Sequence, residues 1–271
     1  MDALSLSTTL GAVVGIILAL TGAGGAILAV PLLVAFLHLD VAQAAPIALL
    51  AVGVSAATGA LAGLRAKTVR YRAAAFMAAA GMAASPAGLW LAHRLPNAPL
   101  TVLFALVLAY VAQRMFRQTL SLHNTPVATT PSAPPCRLDA RSGRFIWNRP
   151  CTRALALTGL GAGFLSGLLG VGGGFVVVPA LKKATDAPLQ AIVATSLAVI
   201  ALVSASGVAA ASTAGRVNWQ LGVPFAGGAL LGMLAGRALA GKVGGTGVQR
   251  AFALVSGAIA IGMIVRVVMA Q

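Results

Sequence analysis

Apolar residues fall in long runs separated by short polar or basic stretches, at about residues 4–37, 41–64, 73–92, 99–119, 154–181, 188–213, 219–240 and 247–270. Each run is long enough to cross about 30 Å of hydrocarbon as an α-helix. Eight such runs, split evenly around one polar segment, predict an all-α polytopic membrane protein. Its parts are a first transmembrane repeat (1–119), a polar linker on the cytoplasmic side (120–153) and a second transmembrane repeat (154–271). The linker contains Pro126, Pro131, Pro134 and Pro135 and the arginines Arg137, Arg141, Arg144, Arg149 and Arg153, so it reads as a solvated, poorly ordered connector. Phe145 and Trp147 are candidates to pin its end to the membrane surface.

The two halves repeat one another at a constant offset of 148 residues. That offset carries Gly11, Gly15, Gly22, Gly24, Gly25 and Pro31 onto Gly159, Gly163, Gly170, Gly172, Gly173 and Pro179, Gly59 onto Gly207, and the FALV of 104–107 onto the FALV of 252–255. The first run of each half is interrupted near its middle, by TGAGGAILAVP (21–31) and LGVGGGFVVVP (169–179). A glycine cluster followed by proline should unwind a helix, because Gly costs about 1 kcal/mol per helical position and Pro about 3. Broken backbone at membrane depth persists only when it is buried in protein or lines a wet cavity. Paired breaks at equivalent places in two repeats point to the binding site of a transporter.

Composition removes the soluble alternatives. Apolar residues make up 59% and charged residues 8%, and mean hydropathy is +0.95, against roughly 45–50% apolar and about 25% charged in soluble domains. Nineteen Lys and Arg face four acids, giving a formal charge of +15. The basic residues sit between apolar runs, where they orient helices against the cytoplasm, so nucleic acid is not the implied partner. Asp2 precedes the first run with no Lys or Arg before it, and that run is expected to stay as a transmembrane element rather than leave as a signal peptide. If each broken run crosses once, the repeats are parallel and the basic residues divide 13 inside to 6 outside; if each enters and returns, the repeats are inverted and the division is 16 to 3. The second count favours inversion. Cys136 and Cys151 form neither a CxxC nor a ligand cluster and are read as free thiols.

The chemistry available is that of backbone N–H groups and hydroxyls. An unwound glycine stretch leading into a helix N-terminus makes an anion site without a charged side chain, and Gly172, Gly173 and Gly174 are placed there, with Gly24 and Gly25 as the weaker partner stretch. Thr195 and Ser196, a short loop beyond the break, are the preferred hydroxyls; Ser204, Ser206 and Ser55 are further candidates. Isolated glycines such as Gly59, Gly63, Gly228, Gly232 and Gly236 read as packing positions. Asp40 and Asp186 lie at helix edges and His38 and His93 near loops, which leaves no buried carboxylate for a proton relay. Arg237 is the one charge well inside a run, where snorkelling accounts for it. With no Glu, three His and scattered Asp, no intramembrane catalytic constellation, metal site or cofactor site can be assembled.

The segment GLGAGFLSGLLGVGGGFVVVPAL (159–181), followed by AIVATSLAVI (191–200), resembles the TauE/SafE, or sulfite exporter, family of membrane permeases. In the first half Ala26 stands in place of the third glycine, and PIAL (46–49) replaces ATSL, so the two halves are expected to contribute unequally. The resemblance implies secondary transport of small sulfur-containing anions, such as sulfite or organosulfonates, across the bacterial inner membrane, with the substrate and the bilayer as partners. Another small organic anion, or a non-catalytic membrane scaffold, is the alternative. A homodimer is left open.

Overall fold

A computed structural model describes residues 3–22, 25–121, 135–137, 145–240 and 245–269. Those residues form ten α-helices and one short 3-10 turn, with no strand among them. In chain order the helices are α1 (Ala3–Thr21), α2 (Ala29–Leu37), α3 (Val41–Arg65), α4 (Tyr71–Arg94), α5 (Asn97–Ser121), α6 (Arg149–Leu169), α7 (Gly174–Ala184), α8 (Leu189–Thr213), α9 (Trp219–Ala240) and α10 (Gly245–Met269), with the 3-10 turn Gly25–Leu28 before α2. Seven of them are long and apolar enough to cross a membrane among the described residues. Large side chains such as Leu61, Leu106, Leu157, Leu231 and Ile261 stand exposed along these helices, as they would against lipid and rarely do in water. The chain is a multi-pass membrane protein.

Each of the two broken runs becomes a pair of helices, and each remaining run becomes one. The polar segment is shorter than its composition suggests: α5 runs on to Ser121, and α6 starts at Arg149, where the Asn148 side chain caps the helix by accepting from the Cys151 N–H at 2.9 Å. Nor is its described part loose. Residues 135–137 and 145–148 lie against the ends of α7 and α8, with the Cys136 N–H donating to Ala184 O and the Ile146 N–H to Arg137 O. Phe145 is buried in a cluster with Val69, Leu155, Leu181 and Ile192, while Trp147 meets the edge of Phe76 at 5.4 Å.

This docking overturns the free-thiol expectation. Cys136 and Cys151 form a disulfide, with Cα atoms 4.8 Å apart and both residues fully buried. The spacing in the chain carried no sign of it, because what joins the two thiols is the return of the linker onto the start of α6.

Two kinds of close packing hold the bundle. α1 lies along α9, and α4 along α6, each pair running in the same direction. Gly11 abuts Phe225 and Ala229, Gly15 abuts Ala229 and Met233, and Gly228 and Gly232 abut Thr8 and Ala12. In the other pair Gly159 abuts Met77, Gly163 abuts Gly81, and Gly88 abuts Phe164. At these positions any Cβ would run into the facing backbone, which is why small residues recur every fourth place and why helices without a water-driven attraction still associate. Gly228, Gly232 and Gly236 therefore serve packing, as the sequence suggested, and Gly59 and Gly63 press on Leu197 and Ala194 of α8. The centre is the crossing of α3 and α8, which run in opposite directions: Leu49 meets Gly207, Gly53 meets Ser204, and Gly63 meets Ala194.

Candidate anion site at the α6–α7 break

The local sequence LLGVGGGF forces α6 to stop. Gly170, Gly172 and Gly173 have φ of 71°, 68° and 68°, in the left-handed region that only glycine enters without strain. Gly170 closes α6 by donating to Ser166 O at 2.9 Å, and α7 then begins with the Val176 and Val177 N–H groups on Gly173 O. The N–H groups of Gly174 and Phe175 thus lie in the first turn of α7, where a helix offers them no carbonyl of its own. The chain reverses here: a Cβ on Gly173 would meet the carbonyl carbon of Ala162 at 2.9 Å, eleven residues back on α6. The first-half break folds back in the same way, with Gly25 against Leu18 and Ile17 of α1.

The turn of the second break reaches the α3–α8 crossing. A Cβ on Gly172 would lie 2.9 Å from Ile200, 3.0 Å from Val52 and 3.1 Å from the Ser204 hydroxyl. Val52 and Ile200 sit at the middle of their 25-residue helices, so this contact falls about 16 Å from either helix start at 1.5 Å per residue. Ser204 is fully buried, and its Oγ has no hydrogen-bond partner among the described residues. Three other buried serine hydroxyls are unpartnered among the described residues: Ser256 is on α10, and the other two neighbour residues of this contact. Ser55 lies one turn beyond Val52 on the same face of α3, and Ser166 lies one turn before Gly170 on α6, both fully buried with unpartnered Oγ atoms.

The predicted residues divide between this place and others. Gly172, Gly173 and Gly174 form the turn itself. Gly25 opens the 3-10 turn of the other break, and Gly24 lies outside the described residues. Thr195 and Ser196 are nearer the membrane surface: the Thr195 hydroxyl accepts the Arg70 N–H at 3.0 Å where α3 turns into α4, and Ser196 donates to Val193 O at 2.8 Å in its own helix. Ser204 and Ser55 ranked below them on sequence and Ser166 was not singled out. A length count had the signal, since eleven residues down α7 and eleven up α8 return to residue 200 rather than 195. The Arg237 guanidinium reaches Thr58 O at 3.4 Å, and Asp40 accepts from the Asn97 side chain at 2.7 Å, tying α3 to α5. Among the described residues no group of three His, Cys, Asp or Glu gathers to hold a metal ion.

One open cavity, of about 460 Å³, borders this region without including the crossing. It lies between α5 and α7, from Thr21 and Gly174 at its deep end to Arg114, Lys182 and Lys183 at the other.

Broken helices of this kind in an all-α membrane bundle agree with a family match. The family model for sulfite exporter TauE/SafE matches residues 8–263, nearly the whole chain. The chain belongs to this family. Similar TauE/SafE chains include a probable membrane transporter protein of Xylella fastidiosa strain Temecula1, 29% identical with 97% of this chain and 96% of the relative covered, and its counterpart in strain 9a5c with the same figures. The probable membrane transporter protein YunE of Bacillus subtilis is 38% identical over 81 residues, 30% of each chain. No solved structure matches this TauE/SafE protein.

Proposed function

We propose that the protein is a secondary transporter of a small sulfur-containing anion, sulfite or an organosulfonate, across the bacterial inner membrane, and that the anion is held at the α6–α7 break. The observation that carries this reading is the Ser204 hydroxyl, buried and unpartnered beside Gly172 at mid-membrane depth. A buried hydroxyl without a partner costs about 1–3 kcal/mol, and a packing scaffold would gain by replacing it with Ala. A transporter has a reason to keep it, as a donor awaiting a ligand. The N–H groups of Gly172, Gly173 and Gly174, the N-terminal dipole of α7 and the hydroxyls of Ser204, Ser55 and Ser166 together supply donors and partial positive charge with no acid nearby, which suits an anion. Gly24 and Gly25 contribute from the opposing break. Thr195 retains a supporting part through the α3–α4 turn, and Ser196 can only accept unless its own helical bond opens.

The reading includes two repeats inverted in the membrane. In its support, exchanging each helix for the one five places on turns the α1–α9 pairing into α6–α4 and leaves α3–α8 paired with itself. Antiparallel α3 and α8 are what an axis in the membrane plane requires. With both broken runs returning, 16 basic residues lie on the linker side and 3 on the other, which makes the linker side cytoplasmic. Rocking of one half against the other about the α3–α8 crossing would give alternating access.

The test is thermal stabilisation of the purified protein by sulfite, sulfate, thiosulfate, sulfoacetate, taurine, a simple carboxylate and chloride, since a ligand that binds only the folded state raises the transition with concentration. Selective stabilisation by a sulfur oxyanion or sulfonate, lost in Ser204→Ala, is the expected result. A carboxylate preference would move the substrate to the organic anions, and a shift that Ser204→Ala and Gly173→Leu leave untouched would remove the site from the break.

A further inference from the structure

The α5–α7 cavity shares Gly174 with the anion site at its deep end and extends away from it with a shape and chemistry that the anion site does not use. Its walls are mostly hydrocarbon, with Val107 and Val111 on α5 and Phe175, Val178 and Ala180 on α7. A small, strongly hydrated anion finds few donors there. At one end only, Arg114, Lys182 and Lys183 converge. The distance along α7 from Lys183 to Gly174 is nine residues, about 13 Å at 1.5 Å per residue, which is close to half of the roughly 30 Å hydrocarbon thickness. The cavity is therefore one leaflet deep, basic at the headgroup level and apolar below it.

We propose that this cleft binds one anionic phospholipid of the leaflet on the linker side, with its phosphate between Arg114 and the Lys182–Lys183 pair and one acyl chain against α7. Basic pockets between membrane helices hold phosphate through charge-assisted hydrogen bonds, and Arg can do so bidentately. The acyl chain fills the wall beside Phe175 and Val178, the elements on which the re-entrant α7 would otherwise face a void. The lipid thus braces the short helix whose N-terminus carries the glycine turn. It stands apart from the substrate assignment: the lipid site holds or fails whichever anion is carried.

Native mass spectrometry of the protein in mixed phosphatidylglycerol and phosphatidylcholine micelles reads the proposal directly. One phosphatidylglycerol should be retained over phosphatidylcholine by about tenfold, because both offer the phosphate but the choline cation of the second would lie against Arg114, Lys182 and Lys183. Arg114→Gln with Lys182→Gln and Lys183→Gln should abolish the preference, and Ala180→Phe, which fills the cleft and leaves every charge, should abolish the retained lipid. Val107→Phe fills it from the opposite wall should Ala180→Phe fail to fold. sn-Glycerol 3-phosphate, a headgroup without chains, should not displace the lipid. Equal retention of the two lipids would overturn the proposal, and so would preference surviving in the filled variants, which is surface adsorption. Displacement by sulfite or taurine would also overturn it and give the cleft to the substrate.

Discussion

The two helix breaks share a backbone plan and differ in what they present. Both reverse the chain, both place a glycine against the central helix of the other half, Gly22 on Val193 and Gly170 on Ala45, and both lead into a short helix with proline at an equivalent place. At the second break three glycines are left-handed and the flanking positions are Ser166 and Ser204. Their counterparts at an offset of 148 residues in the first half are Leu18 and Ala56, and Gly174 is matched by Ala26. Leu18 and Ala56 are completely buried in the apolar core. If the halves are repeats, as proposed, one backbone plan carries Leu18 and Ala56 beside the first break and the unpartnered Ser166 and Ser204 beside the second, while Ser55 of α3 matches Val203. On the proposed function, a symmetric frame would suit a rocking motion, and the unequal lining would let the second break supply most of the donors to the anion.

The largest effect should come from Gly173→Leu. A left-handed φ costs an L-residue about 1–2 kcal/mol, and its Cβ would press on the Ala162 carbonyl, so the turn must move. Anion flux in proteoliposomes is expected to vanish while the protein still inserts, as measured by its amount in washed membranes. Normal flux would separate the glycine turn from transport altogether.

Ser204→Ala should split stability from function. Removing an unpartnered buried hydroxyl relieves a penalty of about 1–3 kcal/mol, so the thermal transition should rise, whereas the dissociation constant for the anion should weaken about tenfold or more, the loss of one hydrogen bond to a charged group. Ala56→Ser at the matching first-half position should lower the transition and leave the anion's dissociation constant unchanged. If Ala56→Ser weakened binding as much as Ser204→Ala, the two breaks would be equal partners and the asymmetry would carry no functional weight.

Much of this frame was legible in the chain. Runs of apolar residues gave the helices to within two residues at most ends, because membrane depth sets helix length and leaves little else to vary. GVGGGF and TGAGGA marked both breaks, since clustered glycine is costly in a helix and signals an unwound turn. The lining was harder to read. Ser204 lies 32 residues from Gly172 and comes beside it only because α7 returns to the surface before α8 descends again; adjacency in the chain favoured Thr195 and Ser196 instead. The disulfide was hidden for a similar reason, as Cys136 and Cys151 meet through a linker that docks on Ala184 and Thr185, and composition describes such a segment only as polar. Arg114 and the Lys182–Lys183 pair were legible as topology signals, but the cleft they close is a property of packing.

A smaller effect on transport, equal in the two halves, is expected where glycine serves packing. Gly15→Ala places a methyl against the Ala229 carbonyl, and Gly163→Ala places one against Gly81, at matching positions of the α1–α9 and α4–α6 pairs. Overpacking of this kind costs about 1–3 kcal/mol. The two variants should lower the thermal transition by similar amounts and leave the anion's dissociation constant unchanged. A variant that lowered stability in one half only would show that the halves differ in packing as well as in lining, and would move the asymmetry from the site to the scaffold.

The smallest effect on transport should come from the Cys136–Cys151 pair, which clips one half and lacks a counterpart in the other. Closing a loop of about 15 residues contributes roughly 3 kcal/mol in a chain-entropy account, so Cys136→Ser should lower the thermal transition, with flux at moderate temperature held within about twofold, because the clip lies at the surface end of α7 and not at the glycine turn. Its oxidation state also sharpens the topology. Under the proposed inverted arrangement 16 basic residues would lie on the linker side and make it cytoplasmic, where glutathione and thioredoxin keep thiols reduced. Acid-quenched cells alkylated before lysis should then yield both cysteines modified, and protein purified in air should yield the disulfide. A pair found oxidised in the quenched cells would place the linker in the periplasm, against the charge count, and would reverse the direction in which each break opens.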